Sequence, residues 1–197
     1  MKLTRLIGDS LLVLLLLAFA YANFLHWRRT GQPSGLGATI LEAWTATIFL
    51  TRRPTACVTR NWVAWAAAPI GSFAMLFARP AAGGSVAVGE PLQVIGLVFA
   101  IISLGALGRS FGIVAANRGI KTRGPYRIVR HPAYAGYLVA YSGYVVENPS
   151  LVNLLLLATG TAFQVVRIRH EERVLDADAG YRCYRESVRF RLVPFVY

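Results

Sequence analysis

The sequence has few charged residues and few of the residue types that build disulfide or metal sites. Of its 197 residues only 15% are charged, and nine are acidic. The two cysteines, Cys57 and Cys183, lie far apart without a pairing pattern, which argues against a disulfide framework and a zinc knuckle. The three histidines form no ligand spacing, so we predict no metal site.

Apolar residues take the place of the missing charge. Hydrophobic residues make up 55% of the chain, which is too apolar for an ordinary soluble domain and indicates an integral membrane protein. Once several spans of roughly 20 residues each are subtracted, little of the chain remains for a separate soluble domain. We therefore expect one compact, all-α membrane domain.

The first residues have two interpretations. The stretch MKLTRLIGDSLLVLLLLAFAYAN has a basic beginning, an apolar middle and the sequence Ala20-Tyr21-Ala22, which is compatible with a cleavable signal peptide. We interpret it as a first membrane span, and a removable signal peptide is the alternative.

Apolar segments predict five to six transmembrane helices. The second segment, Leu36 to Leu50, is short and carries Glu42, so whether it crosses fully stays open. The fifth segment, Ala133 to Val146, is also short and joins the sixth through ENPS, a turn typical of a helical hairpin. The six segments are Leu6 to Phe24, Leu36 to Leu50, Asn61 to Phe77, Val88 to Leu107, Ala133 to Val146 and Leu151 to Ile168.

The distribution of basic residues predicts the orientation. If all six segments cross and the amino terminus is cytoplasmic, then of the 21 basic residues only Arg28, Arg29 and Arg79 fall outside. The net charge of +12 is thus explained by topology, and anionic headgroups of membrane lipids are nearer partners than nucleic acid, which we do not expect to bind. The polar segments after residue 107 are expected on the cytoplasmic side.

The stretch RGPYRIVRHPAYAGY, residues 123–137, is the first candidate for a functional site. Gly124-Pro125 predicts a turn, and Pro132 suits the first position of the fifth helix. The free backbone donors at that helix end, beside Arg130 and His131, would suit a carboxylate or a phosphate.

Four tyrosines follow on one helical face. Tyr134, Tyr137, Tyr141 and Tyr144 recur at spacings of three and four residues. This row descends about two to three turns into the membrane, which is deeper than one interfacial belt of aromatic residues. A polar cleft is favoured for Tyr134 and Tyr137, while helix packing remains the alternative for the whole row.

A second polar cluster ends the sixth helix. Glu171 and Glu172 are adjacent, so their side chains point about 100 degrees apart and one can face inward. The alternative is a solvated helix end neutralised by Arg169 and Arg173. A short amphipathic helix with Tyr181 and Tyr184 should follow, and we expect both polar clusters to meet at one cytoplasmic mouth that opens toward lipid.

These motifs carry a family resemblance. From Leu107 to Phe195, RGPYRIVRHPAYAGY, EERVL and GYRCYRESVRFRLVPF resemble the isoprenylcysteine carboxyl methyltransferase family, a group that includes the phospholipid methyltransferases. The resemblance implies that residues 1–107 form amino-terminal transmembrane helices and that residues 108–197 form the catalytic half of one domain. It leaves the oligomeric state open.

The resemblance implies an S-adenosylmethionine-dependent methyltransferase with a lipophilic, membrane-delivered substrate whose acceptor is a carboxyl, thiol or amine. The residues implied near the cofactor are Gly124, Tyr126, Arg130, His131, Tyr134, Gly136, Tyr137 and either or both of Glu171 and Glu172; Arg185 or Arg189 would lie near the reacting group of the substrate. The family often has a histidine about four residues before the equivalent of Thr122, where this chain has Arg118.

Two alternatives from other classes remain. Sterol-type reductases are similar in this half and use NADPH, but their usual pattern is R-H-x-N-Y, so Pro132 in RHPAY favours methyl transfer. A non-catalytic membrane scaffold is the other alternative, although packing alone would accept leucine in place of the paired acids and the tyrosine row.

Overall fold

The computed structural model describes residues 2–54, 58–59, 61–81, 87–114 and 116–197, with side chains from Gly8 onward. Cys57 and Arg60 lie outside the described residues, as do the side chains of Lys2 and Arg5. Within the described ranges the fold is all-α, and the single extended pairing is an isolated bridge between Val58 and Ala116.

The predicted apolar segments fall on the first six helices, and the predicted amphipathic helix is the seventh. Short 3-10 turns follow α3 and α4 at Ala74–Phe77 and Gly108–Ser110, and a third occupies Gly124–Arg127. The helices are α1 Lys2–Thr30, α2 Pro33–Thr51, α3 Trp62–Phe73, α4 Gly89–Leu107, α5 Pro132–Glu147, α6 Leu151–Leu175 and α7 Ala179–Ser187.

Local residues determine where several helices begin. Pro132 occupies the first position of α5, as predicted, because its fixed φ suits a helix start and the missing N–H is not needed there. Asn61, Ser150 and Asp178 each accept a hydrogen bond from a backbone N–H of the first turn of α3, α6 and α7. The sequence ENPS therefore forms the predicted turn between α5 and α6.

Among the described residues, three helices are long and apolar enough to cross a membrane: Gly8–Thr30, Gly89–Ser110 and Leu151–Leu175. The stretch Trp62–Phe77 is apolar but shorter. Leucines of α1 and α6, such as Leu11 and Leu155, are exposed, which is expected of helices that face lipid. Three crossings thus have support from length and composition, and crossings by α2, α3 and α5 stay predictions.

The closest helix contact in the fold joins α4 and α5, which run antiparallel. A Cβ added to Gly136 would lie 2.7 Å from the backbone nitrogen of Ala100, and one added to Gly143 would lie 2.6 Å from that of Gln93. Backbones can approach this closely only where side chains are absent, which is the usual reason for small residues at helix interfaces in membranes. The contact fixes the position of α5, the helix that carries the tyrosine row.

The other helices pack around this pair. α1 packs on α2, α2 packs on α4, and α3 packs on α6, where Gly71 lies against the backbone of Gln164. By contrast, α5 and α6 contact each other over a short stretch. This arrangement leaves space between α3, α5 and α6.

Adding one methyl group at the α4–α5 contact is expected to destabilise the protein. In Gly96→Ala the new Cβ would meet the backbone of Ala140 and the carbonyl oxygen of Gly136. Overpacking of this kind costs about 1–3 kcal/mol, so the melting temperature of the detergent-solubilised protein should fall.

The matched control is Gly105→Ala, on the same helix. Its Cβ would have Trp44 Nε1 as nearest neighbour, at 4.0 Å. The control should melt at or above the temperature of the unmodified protein, because alanine is the better helix former. Equal melting temperatures for the two variants would contradict the close backbone contact.

Candidate functional site

The connector between α4 and α5 folds over the ends of the helices. Gly119 and Gly124 adopt positive φ angles of 101° and 63°, a region that glycine enters without steric cost. Gly124 is exposed and opens the turn Gly124–Arg127, in which Tyr126 points inward and is buried. The connector thereby brings a tyrosine to the end of the helix bundle.

A cavity lies between this connector, α4, the start of α5, the end of α6 and α7. Its free space is about 860 Å³, counting the part open to solvent. We refer to it as the first cavity. The residues used below that line it are Gly112, Tyr126, Arg130, His131, Tyr134, Tyr137, Glu171, Tyr181 and Tyr184.

Three tyrosines form the aromatic side of the first cavity. The Tyr184 hydroxyl donates to the carbonyl oxygen of Tyr126 at 2.7 Å, and the rings of Tyr181 and Tyr184 are 6.0 Å apart. The Tyr181 hydroxyl is buried and has no hydrogen-bond partner among the described residues. Burial raises the pKa of Tyr184 to about 12 and also raises the pKa of Tyr181. Tyr181 therefore offers an unused O–H donor to a ligand.

Glu172 is the centre of a buried ionic cluster. Its Oε1 accepts from Arg130 Nε at 2.8 Å and lies 3.3 Å from His131 Nε2, while its Oε2 accepts from Arg191 Nε at 2.8 Å. Glu172 and Arg130 are 4% and 7% exposed. A carboxylate this deeply buried needs such partners, because an unpaired charge would be strongly destabilising.

The same cluster attaches the carboxyl-terminal segment to the start of α5. Arg130 Nη1 donates to the carbonyl oxygens of Val188 and Arg189 at 3.0 and 3.2 Å. The backbone N–H groups of Arg130 and His131 donate to the carbonyls of Phe190 and Arg191, both at 2.9 Å. These two donors, which precede the first turn of α5, are therefore taken by the protein itself.

Glu171 faces the first cavity. Its Oε1 accepts from the Tyr134 hydroxyl at 2.6 Å, and its Oε2 lies 3.7 Å from His131 Nδ1. The rings of His131 and Tyr134 stack with an interplanar angle of 5° and a centroid distance of 5.7 Å. The two adjacent acids thus take different positions: Glu171 forms part of the cavity wall, and Glu172 lies behind that wall.

Arg167 is a site residue that sequence reasoning missed, because it was counted only as a topogenic charge. It is 4% exposed, its Nε lies 3.3 Å from Glu171 Oε1, and its guanidinium sits 4.8 Å over the Tyr134 ring. It also donates to Ser72 Oγ at 2.8 Å and to the carbonyl of Gly112 at 3.1 Å. Its position four residues before Glu171, one helical turn away, was the available signal.

The structure brings most of the predicted site residues together. Arg130 and Glu171, from the two separate polar clusters, line the same cavity, and Glu172 contacts Arg130 from behind it. The remaining predicted residues at the cavity wall are Tyr126, His131, Tyr134 and Tyr137.

Four predicted residues are placed elsewhere. Gly124 begins the turn that carries Tyr126, and Gly136 lies on the α4 face of α5, against Ala100. Arg185 forms a bidentate ion pair with Asp176 at 2.7 and 2.8 Å, and the side chain of Arg189 is exposed. None of the four is among the described residues that line the first cavity. For Arg185 the reason is that α7 buries its tyrosines and leaves its arginines on the outer side.

Residues 85–178 match the family model of the phospholipid methyltransferases. None of the curated proteins matches the chain. The matched residues contain α4, the connector, α5 and α6, and therefore Arg130, Tyr134, Glu171 and Glu172. The match confirms the family resemblance over this part of the chain, and together with the three apolar helices it indicates a membrane methyltransferase.

Neutralising Glu172 should loosen the carboxyl-terminal segment. Glu172→Gln leaves Arg130 buried without its carboxylate partner, and removing one member of a buried ion pair costs about 3–5 kcal/mol. Because Arg130 keeps its hydrogen bonds to two backbone carbonyls, we expect the loss in free energy of unfolding to lie near the lower end of that range. Limited trypsin digestion should cleave at Arg185 and Arg189 much faster than in the unmodified protein.

Glu186→Gln on α7 is the control, since Glu186 is exposed. Its rate of cleavage at Arg189, which is not next to the substitution, should equal that of the unmodified protein. If Glu172→Gln were cleaved no faster than Glu186→Gln, the ionic cluster would not be what holds the segment in place.

Proposed function

We propose that this chain, whose residues 85–178 belong to the phospholipid methyltransferase family, is an S-adenosylmethionine-dependent methyltransferase that acts on a lipophilic acceptor delivered by the membrane. One observation carries the proposal. Within and beside the matched residues, the first cavity combines a carboxylate, stacked aromatic rings and a buried hydroxyl that lacks a partner.

The residues of the first cavity fit the chemical groups of this cofactor. S-adenosylmethionine has an ammonium group and ribose hydroxyls that a carboxylate binds, and Glu171 offers one at the cavity wall. Its sulfonium is a cation that a tyrosine face attracts, and Tyr137 presents a ring there. Its adenine carries acceptors for a buried O–H donor such as that of Tyr181.

The charge balance of the site also fits a ligand that carries a carboxylate. Glu171 and Glu172 lie among three guanidinium groups, those of Arg130, Arg167 and Arg191. Among the described residues the bonds of Arg130 use Nε and Nη1, which leaves Nη2 for a ligand. Arg130 would then serve two partners, Glu172 in the protein and the carboxylate of the cofactor.

When bound, the cofactor supplies an activated methyl group on a sulfonium. The protein's task is alignment, since displacement at a methyl carbon requires the acceptor atom, the methyl and the sulfur to lie in line. Tyr134 is well suited to this task because Glu171 holds its hydroxyl, Arg167 lies over its ring, and His131 stacks on it. His131 is placed to donate or accept a hydrogen bond at the same wall.

The membrane orientation belongs to the same proposal. The basic residues of the connector, of the end of α6 and of α7 favour a cytoplasmic location for the first cavity. A soluble cofactor would then enter from the cytoplasm, and a lipophilic acceptor would reach the tyrosine row of α5 from the bilayer.

Equilibrium binding separates this function from its two alternatives. Radiolabelled S-adenosylmethionine and NADPH are each titrated against the detergent-solubilised protein. Binding of S-adenosylmethionine supports a methyltransferase, and binding of NADPH supports a sterol-type reductase. If neither ligand binds, the result supports a scaffold. Transfer of label from the first cofactor into the lipid extract of the membranes then identifies the acceptor.

Removing the charge of Glu171 should weaken cofactor binding. Glu171→Gln keeps the shape of the side chain but loses a charge-assisted hydrogen bond, worth roughly 1.5–3 kcal/mol. The Kd for S-adenosylmethionine, measured by equilibrium dialysis, should therefore rise by about tenfold or more. Glu186→Gln on the exposed side of α7 is the matched control and should leave the Kd unchanged.

An unchanged Kd in Glu171→Gln, with a melting temperature equal to that of the control, would count against Glu171 as a cofactor ligand. A fall in melting temperature alone would instead show that the bonds of Glu171 to Tyr134 and Arg167 serve stability.

A further inference from the structure

The carboxyl-terminal segment closes in a tight turn that exposes apolar side chains. Three consecutive backbone N–H groups, those of residues 191–193, donate to one backbone oxygen of Tyr197 at 2.9, 2.8 and 3.1 Å. We refer to residues 193–196, which these bonds enclose, as the apolar turn. Its Phe195 and Val196 are 90% and 79% exposed, so the turn presents both side chains on the outside of the protein.

Phe195 is held in a costly backbone conformation. Its φ of 67° lies in the left-handed region, and no other non-glycine residue that the structure describes has a positive φ. A side chain in this region crowds its own backbone, so the conformation persists only where the surrounding structure enforces it. Here the hydrogen bonds to Tyr197 enforce it, and the result is an exposed aromatic ring. Strain that turns a phenylalanine outward indicates a partner for that ring.

The apolar turn lies at the level where α6 leaves its apolar stretch. Leu192, before the turn, and Tyr197, after it, belong to one apolar cluster with residues of α5 and α6. Leu192 also lines a second, smaller cavity, which lies between α3, α5 and α6. The α6 member of the cluster is Ile168, which ends the apolar segment that begins at Leu151, on a helix long enough to cross a membrane. The turn is therefore placed at a membrane boundary.

Exposed arginines border the apolar turn. Arg169 lies on α6 at the same level, and its side chain is exposed. Arg189 is exposed as well, and the ring of its neighbour Phe190 lies 5.1 Å from the ring of Phe195. Residues 187–197 contain no acidic side chain. Apolar side chains beside uncompensated arginines are typical of segments that bind the interface of an anionic bilayer, so charge and level together favour lipid over a protein partner.

We propose that the apolar turn, through Phe195 and Val196, inserts into the bilayer leaflet on the side of the first cavity. The guanidinium groups of Arg169 and Arg189 then bind anionic lipid headgroups. This inference does not depend on the proposed methyltransferase function. Because Glu172 holds the same segment through Arg191, the segment is fixed between the leaflet and the ionic cluster.

Collision measurements on nitroxide-labelled protein test the insertion. Cys57→Ser and Cys183→Ser remove the native thiols, and Val196→Cys carries the label with Phe195 still in place. The protein is reconstituted in nanodiscs of phosphatidylcholine and phosphatidylglycerol, where oxygen concentrates among the acyl chains and the nickel complex of ethylenediamine diacetate stays in water. The ratio of oxygen to nickel collisions at residue 196 should be about tenfold higher than at a water-exposed position.

The water-exposed control is Glu186→Cys, labelled in the same background, since Glu186 is exposed on α7. Phe195→Cys repeats the measurement if Val196→Cys does not fold. Equal collision ratios at residues 196 and 186 would overturn the proposal. Low access of both oxygen and nickel at residue 196 would overturn it too, because a protein surface or a second copy of the chain would then cover the turn.

Removing one arginine tests the role of the charge. In Arg189→Gln the ratio of oxygen to nickel collisions at residue 196 should fall by about fivefold, the contribution of one arginine at an anionic surface. Arg79→Gln is the control of equal charge, since Arg79 is exposed and bonded to Asn153 near the opposite end of α6.

The control should keep the ratio of the unmodified protein. In nanodiscs of phosphatidylcholine alone, the unmodified arginines should lose their effect, and the protein with Arg189 should match Arg189→Gln. A ratio at residue 196 that is the same with and without phosphatidylglycerol would overturn the proposed binding of anionic headgroups.

Discussion

The buried carboxylate of Glu172 is the interaction on which the rest of the site depends. It pairs with Arg130 and contacts His131 at the start of α5, and it also pairs with Arg191 of the carboxyl-terminal segment. The segment then adds two backbone hydrogen bonds to residues 130 and 131. Because Glu172 satisfies these cations within the protein wall, its neighbour Glu171 is left with a different role at the cavity surface.

A second constraint places the tyrosine row. Glycines of α4 and α5 allow the two backbones to touch, which leaves the opposite face of α5 turned toward α3 and α6. Tyr134, Tyr137 and Tyr141 lie on that face and line the space that α5 and α6 leave open. The same contact explains why Gly136, although it belongs to the quoted motif, serves helix packing rather than the cavity.

Sequence reasoning predicted the geometry well where a local rule applied. Proline geometry gave the start of α5, helical periodicity gave the shared face of Tyr134 and Tyr137, and the two polar clusters were correctly expected to meet. It missed contacts that involve three elements at once. Arg167 of α6 contacts α3 and the connector, and no pattern within one helix predicts these contacts. Arg185 lies outside the first cavity for a related reason, since α7 has two faces and only its packing shows which one turns inward.

Arg167 has a consequence for how the two cavities respond to ligands. Its guanidinium holds Glu171 of the first cavity and Ser72, which is adjacent to Gly71 of the second. A ligand that repositions Glu171 must therefore shift the hydrogen bonds that connect Arg167 to α3. A single cation thus ties a wall residue of one hollow to the helix that lines the other.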